Sequence, residues 1–491
     1  MRSPRRKVSF MADKKPFYIT TPIFYPNARL HMGHAYTTTL ADILARYHRL
    51  AGQEVYFLTG SDENTQKMVD AARAEGKEPM EFLDGIVKNF NELYSMLGIS
   101  HDQFIRTTDK KRHWPGAQSL WSALVKAGDI YKKEYEGLYC VGHEAFITEK
   151  ELVDGKCPDH GTLLERLKEE NYFFKLSRYT DILHEKIESG ELLVVPESRK
   201  NEILSFLKQG LEDVSFSRPR KTDWPEGLGI PVPGDDSQIM YVWCDALANY
   251  ITALGYGGED DARYKTFWPA NVHVIGKDIL RFHAAIWPAM LLSAGLPLPK
   301  AILVHGFITS GGKKMSKTLG NVIDPQELIE EYGAEAVRYY LARHISPFED
   351  GDLTREHCKE VYNGELANGI GNLASRIMTL AEKYLPQTVT RPEQESFTKE
   401  YADALEAFEI NRAAEYVWRR IAALDQRISE EEPFKLIKKD EERGRGLIAE
   451  LVLDLYAVAH LLNPFMPETS KRIKEAVLEN RKPENLFPRK D

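Results

Sequence analysis

The chain has 491 residues, 43% hydrophobic and 28% charged, and 65 Lys and Arg against 74 Asp and Glu leave a net charge of −9. That length predicts two to four structural units rather than one core. The acidic balance excludes a protein that coats nucleic acid without specificity, the lack of a long apolar run excludes a transmembrane helix, and four cysteines in so long a chain exclude a disulfide framework. The opening MRSPRRKVSF has no apolar signal-peptide core and Met11 offers a more natural start, so residues 1–15 read as a tail of a cytoplasmic, membrane-free protein.

Residues 16–24, PFYITTPIF, read as a buried strand of β-branched and aromatic residues. HMGHAYTTTLADILARYHRLAGQ then reads as a helix closed by Gly52, and residues 54–62, EVYFLTGSD, as the next strand. Strand, helix, strand in that order predicts a βαβ unit and a parallel sheet. From 120 to 222 the rhythm breaks into a loop-rich stretch with two Cys-x-x-His pairs, which reads as an inserted module. The α/β pattern returns with QIMYVWCDA, NVHVIGKDI and AILVHGFIT over 223–355. From 356 to 491 the chain reads helical, with apolar stripes at Leu366, Ile370, Leu373, Ile377 and Leu380 and at Val417, Ile421, Leu424 and Ile428.

His31-Met32-Gly33-His34 lies between the first strand and its helix. A helix N-terminus is an anion site, two imidazoles there can donate to phosphate oxygens, and Gly33 leaves room for a flat base to approach the backbone. Taken alone, the motif reads equally well as two surface histidines. Residues 311–320, GGKKMSKTLG, add a glycine-opened loop that brings Lys313, Lys314 and Lys317 to one site, as a triphosphate requires while a bond to it breaks. Asp62 closes the second strand at the carboxyl edge, where ligands bind in such sheets, and a helix N-cap is its alternative role.

HMGH and KMSKT resemble the HIGH and KMSKS signatures of class I aminoacyl-tRNA synthetases. TTPIFYPNARLHMGHAYTT, YVWCDA, VIGKDILRFHAAIWPAML, LVHGF and YGAEAVRYYL resemble the blocks of the methionyl-tRNA synthetase family in particular. The resemblance implies a Rossmann-like parallel-sheet catalytic domain in two halves, 16–119 and 223–355. A connective insert at 120–222 splits them, and an all-α anticodon-binding domain at 356–491 follows. It implies ATP with Mg²⁺, L-methionine and tRNA(Met) as reactants. His31, Gly33, His34 and Lys317 would bind ATP, with Lys314 and Lys317 as the signature lysines, each phosphate donor worth about 3–4 kcal/mol in the transition state. Asp62 resembles the aspartate that holds the methionine ammonium, and Tyr25, Trp243, Tyr250 and His283 match the methionine pocket, where aromatic rings meet a thioether. The insert is too short for the large editing domain of the Leu, Ile and Val enzymes.

Asn368, Asn372 and Arg376, spaced four and four, match the anticodon-reading helix, with Phe434 after Pro433 in the place of a family tryptophan. Two further departures stand out. The second strand usually runs into Asp-x-His-Gly and here reads Asp62-Glu63-Asn64-Thr65, and the insert's zinc-binding cysteine pairs read Cys140-x-x-His143 and Cys157-x-x-His160. The latter set suits tetrahedral Zn²⁺, a metal-free knuckle being the alternative. The chain stops at NLFPRKD without an OB-fold module, so a monomer is expected. Another class I synthetase, a HIGH-bearing nucleotidyltransferase and a non-catalytic tRNA-binding paralogue are the competing readings. The helical tail and the intact motifs argue against the last two.

Overall fold

Charge-free FYITTPIF becomes β1, Phe17–Phe24, buried everywhere but at half-buried Ile23. The computed structural model describes residues 15–140, 145–147, 152–158, 161–220, 224–225, 227–315, 320–390 and 397–491. β1 sits inside a parallel six-stranded sheet with β2 (Val55–Ser61), β3 (Gln103–Arg106), β4 (Leu193–Val195), β5 (Val272–Gly276) and β6 (Ala301–His305), in the order β3-β2-β1-β5-β6-β4. Pro22 has no N–H to give a ladder, and the β1–β2 register shifts between Thr20 and Ile23 to admit it. The strand order reverses between β1 and β5. Such a switch point opens a crevice beyond the carboxyl ends of the strands, which is where a ligand binds.

The expected βαβ unit and parallel sheet are present. Alternate residues divide the two faces: Ile19, Phe57, Val274 and Leu303 pack on the side of the C-terminal helices, Tyr18, Leu58, Ile275 and Ile302 on the other. Within the 120–222 stretch, Ile130–Cys140 and Glu165–Phe174 form a long antiparallel pair flanked by Ala145–Ile147 and Val214–Ser215. The same stretch also returns β4 to the edge of the main sheet, where Ile302 lies opposite Val194. QIMYVWCDA does not supply a strand of that sheet. Its strand, Asp235–Met240, joins a small antiparallel sheet, and YVWCDA opens a helix, Val242–Thr252.

Four helices and that one matter below: α1 (Met32–Leu50), α2 (Val242–Thr252), α3 (Ala334–Arg343), α4 (Asn372–Tyr384) and α5 (Ile410–Glu431). Leu366, Ile370, Leu373 and Ile377 are buried as their spacing predicts, and Leu380 is half-buried. The helix carrying them is not one α-helix, however. Tyr362–Gly371 is wound as a π-helix and leaves helical backbone angles at Gly369 before α4 begins. Three glycines in NGELANGIG, each a poor helix former, weaken the run enough for the wider turn. Arg338 of α3 joins the halves of the molecule: it pairs with Asp42 of α1 at 2.7 Å, both fully buried, and donates to the carbonyls of Leu97, Pro464 and Phe465. Among the described residues no helix is long and apolar enough to cross a membrane.

Candidate active site

The first turn of α1 is built by its own histidines. Nδ1 of His31 accepts the Gly33 N–H and Nδ1 of His34 accepts the His31 N–H, both at 3.1 Å, and the rings stack 3.8 Å apart. A neutral imidazole that accepts at Nδ1 carries its proton at Nε2, so each ring keeps one N–H donor for a ligand. Lost hydration, then nearby Lys314, lowers the His31 pKa; lost hydration, then His31 and His305, holds His34 well below the ordinary value. Lys314, from the lysine-rich motif, thus lies close enough for its charge to act on His31. Gly33 has a role beyond an open approach for a base: a Cβ there would lie 2.9 Å from Cε1 of His31 and push the capping ring away. Lys317 lies outside the described residues.

The base of the lysine loop is tied to the same turn. Nδ1 of His305, at the end of β6, donates to the Gly306 carbonyl at 2.8 Å, so its Nε2 accepts from the Thr37 hydroxyl at 2.7 Å. Burial pushes the His305 pKa down to about 4. Beyond it Ile308–Ser310 and Lys313–Lys314 form a hairpin, and Asp352 accepts from Gly312 N–H and the Thr309 hydroxyl, both at 2.8 Å. His305 is a linking residue that the motifs alone do not single out; it was visible only as part of LVHGF.

On the other side of the switch point lies an aromatic cluster. Asp62, at the end of β2, is buried and its N–H donates to Phe24 O at 2.9 Å, which sets it beside the Tyr25 turn. Its charge helps raise the pKa of Tyr250, after burial, so the two side chains are neighbours. The Tyr250 hydroxyl lies 2.7 Å from Nε2 of His283, whose Nδ1 gives its proton to Ile279 O at 2.9 Å. His283 is therefore a neutral acceptor, its pKa pushed by burial to about 4. It stands in a π-turn, Phe282–Ile286. Trp243 meets the His283 ring edge-on, with centroids 6.4 Å apart, and stacks on Phe282 at 3.6 Å. Tyr25 is half-buried and packs near Met68 and Leu83. Phe282, stacked on Trp243, is a member of this cluster that sequence reasoning passed over.

The unusual Asp62-Glu63-Asn64-Thr65 loop is buried throughout. Glu63 pairs with Arg106 at 2.7 Å, and Asn64 bonds to Thr107, Gly229 and Asp245. In the helical region Asn368 and Asn372 are exposed, while Arg376 is held by Asp425 of α5. The turn at Gly369 corrects the four-and-four spacing: only Asn372 and Arg376 share a regular α-helix, and Asn368 belongs to the π-wound segment before it. Phe434 is 43% exposed at the start of the helix Pro433–Lys439. Cys140 and Cys157 are both buried, in one cluster with Leu152 and Leu164. His143 and His160 lie outside the described residues, among which no group of three or more metal-ligating side chains occurs.

Residues 17–378 match the family model for class I tRNA synthetases (M). The methionine–tRNA ligase of Caldanaerobacter subterraneus subsp. tengcongensis is 44% identical over 94% of this chain and 74% of its own length; that of Clostridium perfringens is 46% identical over 94% and 73%. The solved Mycobacterium tuberculosis methionyl-tRNA synthetase in complex with methionyl-adenylate superposes with a TM-score of 0.86 at 36% identity, covering 97% of this chain and 99% of the other. A parallel sheet whose switch point carries the histidine turn, the lysine hairpin and the aromatic cluster agrees with all three, and the chain belongs to the methionyl-tRNA synthetases of class I.

Proposed function

We propose that this chain activates L-methionine with ATP and transfers it to tRNA(Met), with residues 16–119 and 223–355 doing the chemistry and 356–491 reading the anticodon. The methionine carboxylate attacks the α-phosphorus, the bond to the β-phosphate oxygen breaks and pyrophosphate leaves; a terminal ribose hydroxyl of the tRNA then attacks the acyl carbon and AMP leaves. No protein nucleophile is needed, and catalysis is positioning plus charge stabilisation. The Nε2–H groups of His31 and His34, with Lys314 and Lys317, meet the phosphates, and Mg²⁺ enters with ATP as part of the substrate. Asp62 takes the ammonium; Tyr25, Trp243, Tyr250 and His283 enclose the side chain; Asn368, Asn372, Arg376 and Phe434 meet the anticodon. The observation that carries this reading is the meeting of neutral imidazole donors, Lys314 and the Asp62–Tyr250–His283 pocket at one sheet crevice.

Two buried thiols side by side suit half of a tetrahedral zinc set, so Cys140, His143, Cys157 and His160 would hold a structural Zn²⁺ that cross-links the tip of the insert. The enzyme works as a cytoplasmic monomer. Pyrophosphate exchange across a panel of amino acids tests the assignment: methionine alone is expected to drive strong exchange, and stronger exchange with cysteine or leucine overturns it.

A further inference from the structure

Asn64 stands two residues beyond Asp62, and Asp245 two residues beyond Trp243. The side chains meet in the interior: Nδ2 of Asn64 donates to Oδ2 of Asp245 at 2.8 Å. The other oxygen, Oδ1 of Asp245, accepts from Nε2 of His113 at 2.5 Å, and Nδ1 of His113 lies 2.7 Å from the Thr252 hydroxyl at the end of α2. Asn64 also donates to Thr107 O and accepts the Gly229 N–H, both at 2.9 Å. Asn64 is 5% exposed, Thr252 1%, and Asp245 and His113 are fully buried. The bonds therefore form a closed network across four segments: the loop after β2, the loop after β3, the loop at 229 and helix α2. Such a network fixes geometry because each member lost leaves a buried partner unsatisfied.

We propose that Asn64 and Asp245 are positioning residues that set the separation between the Asp62 carboxylate and the Trp243 ring, and with it the fit of methionine. This rests on the reading of Asp62 and Trp243 as methionine contacts. Asn64 and Asp245 spend their polar atoms on one another and on Thr107, Gly229 and His113. They act by locking the carboxyl end of β2 to the first turn of α2, the two walls between which the ammonium and the side chain of one small substrate must both fit. The loop that departs from the family's Asp-x-His-Gly is thus where this chain holds its pocket, with an amide that has both the donor for Asp245 and the acceptor for Gly229.

The test is a charge swap read in methionine-dependent pyrophosphate exchange. Asn64→Asp sets two carboxylates against each other, and it is expected to raise the methionine KM at least tenfold while the ATP KM stays within threefold. Asn64→Asp combined with Asp245→Asn restores the bond to residue 245 in reverse and keeps an acceptor for His113, while the bond to the Thr107 carbonyl stays lost; its methionine KM should fall clearly below that of the single variant without reaching wild type. A folded Asn64→Asp enzyme with an unchanged methionine KM, or a double variant no better than the single, overturns the proposal. If Asn64→Asp does not fold, the isosteric Asp245→Asn alone decides by the same ratio of the two KM values: a selective rise for methionine supports it, and equal change or none rejects it. Asp62→Asn and Trp243→Ala run alongside. If those leave the methionine KM unchanged, it is the pocket assignment that has failed, not the network.

Discussion

Tyr250→Phe removes one buried oxygen and nothing else. Tyr250 and His283 are each 1% exposed and bonded at 2.7 Å, and Nδ1 of His283 is already committed to Ile279 O. The deletion therefore strands Nε2 of His283 as a buried acceptor among the rings of Trp243, His273 and Trp287, a loss of about 1–3 kcal/mol. If that loss is expressed in binding, the methionine KM rises by roughly five- to a hundredfold at about 1.4 kcal/mol per decade. The ATP KM should hold, since the phosphate corner is built by α1 and the lysine hairpin. Pyrophosphate exchange at varied methionine and varied ATP, with urea unfolding of the same preparation, measures all three quantities. A variant as stable as wild type to within about 0.5 kcal/mol, with an unchanged methionine KM, refutes the reasoning.

His305 is buried, with a pKa near 4 against an ordinary value near 6.5, so between those pH values the unfolded chain binds a proton that the folded chain refuses. Stability should fall as pH drops through 6.5 toward 4, and His305→Gln, which keeps the acceptor for Thr37, should lose about 2 kcal/mol less than wild type between pH 7 and pH 5; equal losses in urea titrations contradict this. Lys317→Ala is expected to slow adenylation roughly 10²–10³-fold with little change in methionine affinity, and single-turnover kinetics showing a normal rate and a raised methionine Kd would reassign it. Elemental analysis should find close to one zinc per chain, lost in Cys140→Ser, while metal-free protein of full activity and unchanged melting speaks for a metal-free knuckle. Asn372→Ala and Arg376→Ala should lower kcat/KM for tRNA by about 1–3 kcal/mol per lost base contact and leave pyrophosphate exchange intact; wild-type charging by both makes α4 purely structural. Losing the exposed Arg376–Asp425 pair itself should cost at most about 1 kcal/mol of stability.

Periodicity and local chemistry are properties of short stretches, and they were legible in the chain. PFYITTPIF and EVYFLTGSD had to be buried strands, the helix between them made the sheet parallel, and HMGH had to stand at that helix's N-terminus. The spacing of Leu366 to Ile377 predicted their burial, but not the π-winding through Gly369, because a stripe of that spacing survives a local change of pitch. Contacts between distant segments were not legible. The tautomers of His31 and His34 follow from which backbone N–H each ring meets, and the bonds from Thr37 to His305 and from Tyr250 to His283 span 268 and 33 residues. Nothing in YVWCDA says that Asp245 faces Asn64, 181 residues earlier, in the buried interior. Hydrophobic pattern determines which elements form and which faces they bury. Only the closing of the sheet, which brings the ends of β1, β2, β5 and β6 to one crevice, decides which polar side chains lose water together and must satisfy one another.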